Sequence, residues 1–107
     1  MVKYNSLNEF RYNRNTKHMN YVFLKKENKF KTVGLTTNEY TFGRKNMPLH
    51  KNTQKGKNEQ SYIRNSIISD KINNFGPIDK RFCFSKEDFP NVKSKIRNYK
   101  NKIRKKK

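Results

Sequence analysis

The sequence predicts an α+β domain in which a small antiparallel β-sheet precedes a C-terminal basic amphipathic helix. Three observations carry this prediction. Two β-rich runs, at 21–24 and 30–35, flank the polar link Lys25, Lys26, Glu27, Asn28 and Lys29, as a hairpin requires. A third β-type run follows at 62–68. Beyond it, Phe89, Val92, Ile96, Tyr99 and Ile103 recur at spacings of 3, 4, 3 and 4, which places all five on one helix face.

The elements follow in order. Residues 1–18 are polar and basic, with Leu7, Phe10 and Tyr12 as the apolar anchors. The hairpin is the strongest strand signal in the chain. Residues 36–60 hold few hydrophobics and contain Gly43, Pro48 and Gly56, which predicts a long basic loop with room for a short strand near 47–49. After the third β-run, Asn73, Asn74, Gly76 and Pro77 supply the chemistry of a turn. Residues 81–84 then read as a final short strand. Ser85 fits a helix N-cap, with Asp88 three residues later where a capping-box acid belongs. Glu87 and Asp88 complement the helix dipole, and Pro90 falls early enough to be tolerated. The predicted helix spans about 86–104, and residues 104–107 are expected to order only on binding. There is no internal repeat, and residues 1–107 read as one small domain.

Of the residues, 31% are hydrophobic and 33% charged, but eight Phe, six Tyr and seven Ile concentrate apolar area into a compact core. Such a core confers modest stability that a bound partner can raise. The net charge is +19, and the last nineteen residues carry nine Lys or Arg and no acid. AT-rich codons account for abundant Lys, Asn, Ile, Phe and Tyr, yet they also encode Glu. Only five Glu and three Asp face 27 bases, so codon bias does not explain the asymmetry. The imbalance points to nucleic acid, an acidic protein or an anionic membrane. The apolar stripe of the helix is expected to dock on the chain's own core, which argues against a membrane partner. The single cysteine, Cys83, forms no internal disulfide, and its place between Phe82 and Phe84 predicts a packed thiol in a reducing compartment. No apolar run reaches the length of a signal peptide or a membrane span, and the expected location is cytoplasmic.

One Cys and two distant His make no standard zinc site, and neither a phosphate loop nor a dinucleotide fingerprint is present. The eight acids are scattered or sit at a helix start, unlike those of a metal-dependent nuclease. No cofactor and no metal is expected. Metal-free chemistry or plain binding remains. His18 and His50 are the side chains whose ordinary pKa lies nearest neutrality. His18 ends the run Arg14-Asn15-Thr16-Lys17-His18 before the first predicted strand, and Thr36 and Thr37 end the second. Antiparallel pairing brings the start of one strand beside the end of the next. Arg14, Lys17 and His18 can then meet Thr36 and Thr37 to bind a phosphodiester, or to assist attack by an RNA 2′-hydroxyl. The alternative is that these are surface polar residues at strand ends.

Tyr40, Phe42, Arg44 and Lys45 form a mixed aromatic and basic segment around Gly43, and Tyr62 and Arg64 repeat the pairing. Aromatic rings stack on unpaired bases while Arg and Lys track the backbone. His50 and the helix cations Lys93, Arg97, Lys100 and Arg104 complete the expected nucleic-acid-binding set. The alternative here is that Phe42 and Tyr62 belong to the core and the cations are solvated.

The basic segment 14–18 leading into a strand, the run Gly34-Leu35-Thr36-Thr37 ending a second, and Phe84-Ser85-Lys86-Glu87-Asp88 before a striped helix resemble MazF/PemK-type toxins. That resemblance covers roughly residues 10–105. It implies a small SH3-like barrel, a fold also used by the toxins of RNA-antitoxin systems. It also implies a sequence-selective, metal-free endoribonuclease. Arg14, Lys17 or His18 would take the basic role and Thr36 or Thr37 the hydroxyl role. The implied partners are RNA and an RNA or acidic protein antitoxin. A different class of function is a non-catalytic binder of RNA, DNA or a ribonucleoprotein. Such a binder would be a ribosome-associated protein, or a phage or mobile-element inhibitor such as an anti-CRISPR.

Overall fold

A computed structural model describes residues 4–54 and 56–105. The strands are β1 (Tyr4–Asn13), β2 (His18–Lys26), β3 (Lys29–Thr36), β4 (Tyr40–Thr41), β5 (Arg44–Lys45), β6 (Met47–Pro48) and β7 (Tyr62–Lys71). A 3-10 turn (Ile72–Asn74) and one helix, α1 (Asp88–Lys105), follow. The chain is thus a small α+β domain. Its main sheet has the order β1-β2-β3-β7-β6, with every neighbouring pair antiparallel. β4 and β5 form a separate two-stranded ribbon.

The β2–β3 hairpin is longer than its sequence signal. Both strands run to Lys26 and Lys29, which pair, and only Glu27 and Asn28 make the turn. Glu27 takes a left-handed φ of 56° there. Tyr21, Val22, Phe23 and Leu24 are all buried, because the sheet is covered on both faces. On one face Tyr21, Phe23, Val33, Leu35 and Ile63 pack against Val92 and Ile96 of α1. On the other, Val22 and Phe30 pack against Phe75, carried over the sheet by the segment after the 3-10 turn.

Residues 4–13 form a ten-residue edge strand, which the sequence does not signal. Phe10 is buried and Leu7 packs against the second cluster, but their three-residue spacing gives no apolar alternation to read. Pairing with β2, in the register Phe10 to Tyr21, imposes the strand. Asn13 closes this first hairpin. It is fully buried, and its Oδ1 accepts the amide protons of Asn15 (2.8 Å) and Thr16 (2.9 Å). Lys17 completes the turn with a φ of 62°. The long loop expected over 36–60 is broken by the β4–β5 ribbon and by β6, which pairs Met47 with Ile63 and Pro48 with Tyr62.

Residues 81–84 do not form the strand expected of them. They make a single bridge from Phe82 to Gln54, beside a hydrogen bond from the Cys83 amide to Thr53 O (2.9 Å). The segment is nevertheless extended. Phe82 and Phe84 turn inward against Phe10, and the two-residue period turns Cys83 outward. Cys83 is therefore exposed rather than packed.

Ser85 caps α1, its Oγ accepting the Asp88 amide proton at 3.1 Å. The Asp88 carboxylate then reaches beyond the helix. It accepts the Ser85 hydroxyl (3.0 Å) and the backbone amides of His50 (2.7 Å) and Lys51 (3.0 Å), and Asp88 is only 4% exposed. On the helix face, Val92 and Ile96 are buried and Phe89 packs against the same cluster. The side chains of Tyr99 and Ile103 lie outside the described residues. Among the described residues no helix is long and apolar enough to cross a membrane.

Replacing Asp88 by Ala leaves two backbone amides without their acceptor. The expected loss in urea unfolding is about 2–4 kcal/mol, against about 1 kcal/mol for Ser85→Ala, which removes the cap and one of the three donors to Asp88. Equal losses for the two variants would mean that the link to residues 50–51 contributes nothing.

Candidate nucleic-acid interface

The β4–β5 ribbon pairs Tyr40 with Lys45 and Thr41 with Arg44, leaving Phe42 and Gly43 as a two-residue turn. Both central residues have positive φ, 51° at Phe42 and 76° at Gly43, the signature of a type I′ turn. Gly meets that demand without strain. Phe does not, because its Cβ crowds the backbone in the left-handed region. Phe42 is nonetheless 94% exposed, and Tyr40 is 56% exposed. The alternative of a core role for Phe42 is thereby removed: its ring packs on nothing that would repay the strain.

The base of the ribbon is firmly held. Asn46 is buried, and its side-chain amide donates to Thr41 Oγ1 (2.7 Å) and Asn38 O (3.0 Å). Its Oδ1 accepts the Asn65 amide proton from β7 (3.1 Å). A fixed stem therefore presents Tyr40, Phe42, Arg44 and Lys45 to solvent.

The strand ends meet in a second place. Asn20 pairs with Gly34, so His18 and Thr36 lie two residues further along their strands, at the same end. His18, Thr36 and Thr37 line one cavity of about 290 Å³, together with Asn52, Gln54 and Lys57 from the loop after β6. The structure does not bring Arg14 there. Its guanidinium donates instead to Asn73 O (2.7 Å) and Phe75 O (3.3 Å). Lys17, exposed in its left-handed turn, does not line the cavity either. Lys57 is the cation the sequence did not single out. Only the fold of the 49–61 loop carries it to the strand ends.

The remaining expected contacts are dispersed. His50 Nε2 lies 2.8 Å from Glu87 Oε2 at the exposed start of α1. Tyr62 is half-buried between Thr36 and Pro48. Arg64 lies across Gly34, where a Cβ would come within 2.9 Å of Arg64 Cδ. Lys93 and Arg97 are exposed on α1, and the side chains of Lys100 and Arg104 lie outside the described residues.

Four acids, Glu9, Asp70, Asp79 and Asp88, are occupied internally. Glu9 pairs with Arg11 and Asp79 with Arg81. Partial burial pushes the Asp70 carboxyl up, but hydrogen bonds from Asn13, Asn74, the Lys71 amide and Asn15 outweigh it and hold the group below the usual carboxylate range. The partners of these acids and of Asp88 in the bonds described are arginines, amides and a hydroxyl. Among the described residues no three His, Cys, Asp or Glu side chains are grouped to hold a metal ion.

Fold and surface together define a small, strongly basic α+β domain with an aromatic-tipped ribbon. Comparison with protein-family models, with curated proteins and with solved structures found no match to this chain.

The strain at Phe42 is measurable. Asn tolerates the left-handed region, so Phe42→Asn should raise stability by about 0.5–1 kcal/mol in urea unfolding, while Phe42→Ala gives little gain. Equal effects of the two variants would show that the backbone conformation costs nothing.

Proposed function

We propose that the protein binds RNA, stacking unpaired bases on the β4–β5 ribbon while its cations follow the phosphate backbone. The observation that carries this is Phe42, held in a strained turn and almost wholly exposed between Tyr40 and Arg44. A ring in that position wastes apolar area unless something flat covers it, and a net charge of +19 selects a polyanion for the cover. Unpaired nucleotides provide a flat base for the ring and a charged phosphate for the cations, whereas the stacked bases of a duplex do not expose their faces.

Fluorescence anisotropy with a short unstructured RNA tests the assignment. Affinity should fall by roughly 10³-fold or more between low and moderate salt if six or more phosphates are contacted. Phe42→Asn should weaken binding by about 1–3 kcal/mol while leaving the fold intact. A flat salt response, or equal affinity for a blunt duplex of the same length, would overturn it.

One observation favours a second function, metal-independent RNA cleavage. His18, Thr36, Thr37 and Lys57 share a cavity of about 290 Å³, large enough for a phosphodiester, with Glu59 also on its lining. In this scheme His18 takes the proton of the 2′-hydroxyl. The oxygen attacks the adjacent phosphorus, the bond to the 5′-oxygen breaks, that oxygen takes a proton from water to become the 5′-hydroxyl, and a 2′,3′-cyclic phosphate remains. Lys57 and the threonine hydroxyls stabilise the charge that develops on phosphorus. The likeness to MazF/PemK-type toxins supports this scheme. The register shifts in the β1–β2, β2–β3 and β3–β7 pairs bend the strands, as closure into a small SH3-like barrel would require. An RNA or acidic protein antitoxin would silence such an enzyme by covering its basic surface. Purified protein should then cut single-stranded RNA in EDTA, and His18→Ala should abolish cutting while RNA binding persists. Intact RNA after long incubation would remove cleavage and leave binding standing.

A further inference from the structure

Two adjacent cavities, of about 420 and 240 Å³, lie between the β1 edge and α1 and share Asn8 and Phe89. Ile78, Phe82, Phe84 and Phe89 line the first, and Ile78 is 44% exposed. The three Phe rings are partly buried rather than sealed in the core. Each is braced by a neighbour: Phe82 stacks on Phe10 at 5.9 Å between centroids, and Phe84 on Phe89 at 6.4 Å. Braced rings keep a fixed orientation, so they offer stacking faces at little entropic cost.

The rim is basic. Lys80 and Lys86 border the first cavity, Lys93 and Arg97 the second. The acids nearby, Glu9 and Asp79, already pair with Arg11 and Arg81. Lys93 Nζ lies 5.0 Å from the centroid of the Phe89 ring. A base arriving on that ring would displace the ammonium and turn it toward the adjoining phosphate. β1 is also the terminal strand of the sheet, so no further strand lies beyond Ser6–Glu9 in the sheet order.

We propose that this trench binds a stretch of single-stranded RNA, as a second contact region separate from the β4–β5 ribbon. The inference rests on the RNA-binding assignment made above. A second copy of this chain is a poor occupant, because two bodies of charge +19 repel. Nucleotides match both features of the trench: flat apolar faces for the rings and one negative charge per residue for the rim.

Cys83 provides the probe. It is the single cysteine of the chain, it is exposed, and it lines the first cavity. It also borders the neighbouring cavity of the 49–61 loop, so the experiment must separate the two. The rate of thiol modification by an aromatic disulfide reagent is measured with and without a short unstructured RNA, with saturation followed independently by anisotropy. Saturating RNA should slow Cys83 modification severalfold. The double variant Lys86→Glu, Lys93→Glu should restore the free rate and lower the salt slope of binding by about 2, while Lys51→Glu, in the other cavity, leaves protection intact. Saturation with Cys83 still reacting at the free rate overturns the trench and leaves RNA binding standing. Protection lost in Lys51→Glu but kept in the double variant overturns it as well. Protection by an acidic peptide but not by RNA would replace the RNA with a protein partner. Failure to saturate at all would sink RNA binding itself, and the trench with it.

Discussion

The Asp88 carboxylate is the constraint on which the rest of the molecule depends. It is buried, and it collects two backbone amides from residues 50 and 51 and the hydroxyl of the helix cap Ser85. A buried carboxylate is costly unless its oxygens are satisfied, and here three donors satisfy them. The same group that starts α1 therefore also pins the loop after β6. Fixing the helix start sets the rotation that turns Val92 and Ile96 into the core. Fixing the loop brings Asn52, Gln54 and Lys57 to the strand ends beside His18 and Thr36. The helix start and the loop that lines the cavity thus share one anchor.

The surface charge follows from how the few acids are employed. Asp88 and Asp70 face amide and hydroxyl donors, while Glu9 and Asp79 hold arginines close to the body. Those acids serve the fold, and 27 Lys and Arg against eight acids leave a net charge of +19. Self-repulsion then works against the compact state, and a polyanion bound to the native form would relieve it.

Aromatic residues take two different roles in this fold. Phe10 and Tyr21 are buried in the core, their ring centroids 5.3 Å apart. Phe42 stands outside it, in a backbone conformation that its side chain disfavours. Strain of that kind persists where the surroundings hold it, and the Asn46 anchors do so here. The partly exposed rings of Phe82, Phe84 and Phe89 lie between these extremes. They stabilise the core from one side and leave a face toward the trench on the other.

Locally encoded features were legible in the sequence. The β2–β3 hairpin, β7, the Ser85 cap and the inward face of α1 all depend on residues a few positions apart, where turn chemistry and side-chain period act directly. The β4–β5 turn was less so, since Phe occupies a position that normally carries Asn or Gly; its aromatic and basic character was visible, but its exposure was not. What pairing over long separations decided could not be read in advance. β1 is a strand because β2 gives it a ladder, Arg14 is drawn to the carbonyls of Asn73 and Phe75, and Cys83 faces out because its two Phe neighbours face in. Asp88 looked like a capping acid, which is a local role. Only the folded chain brings residues 50 and 51 within reach, and it does so because a buried carboxylate must find donors wherever the packing supplies them.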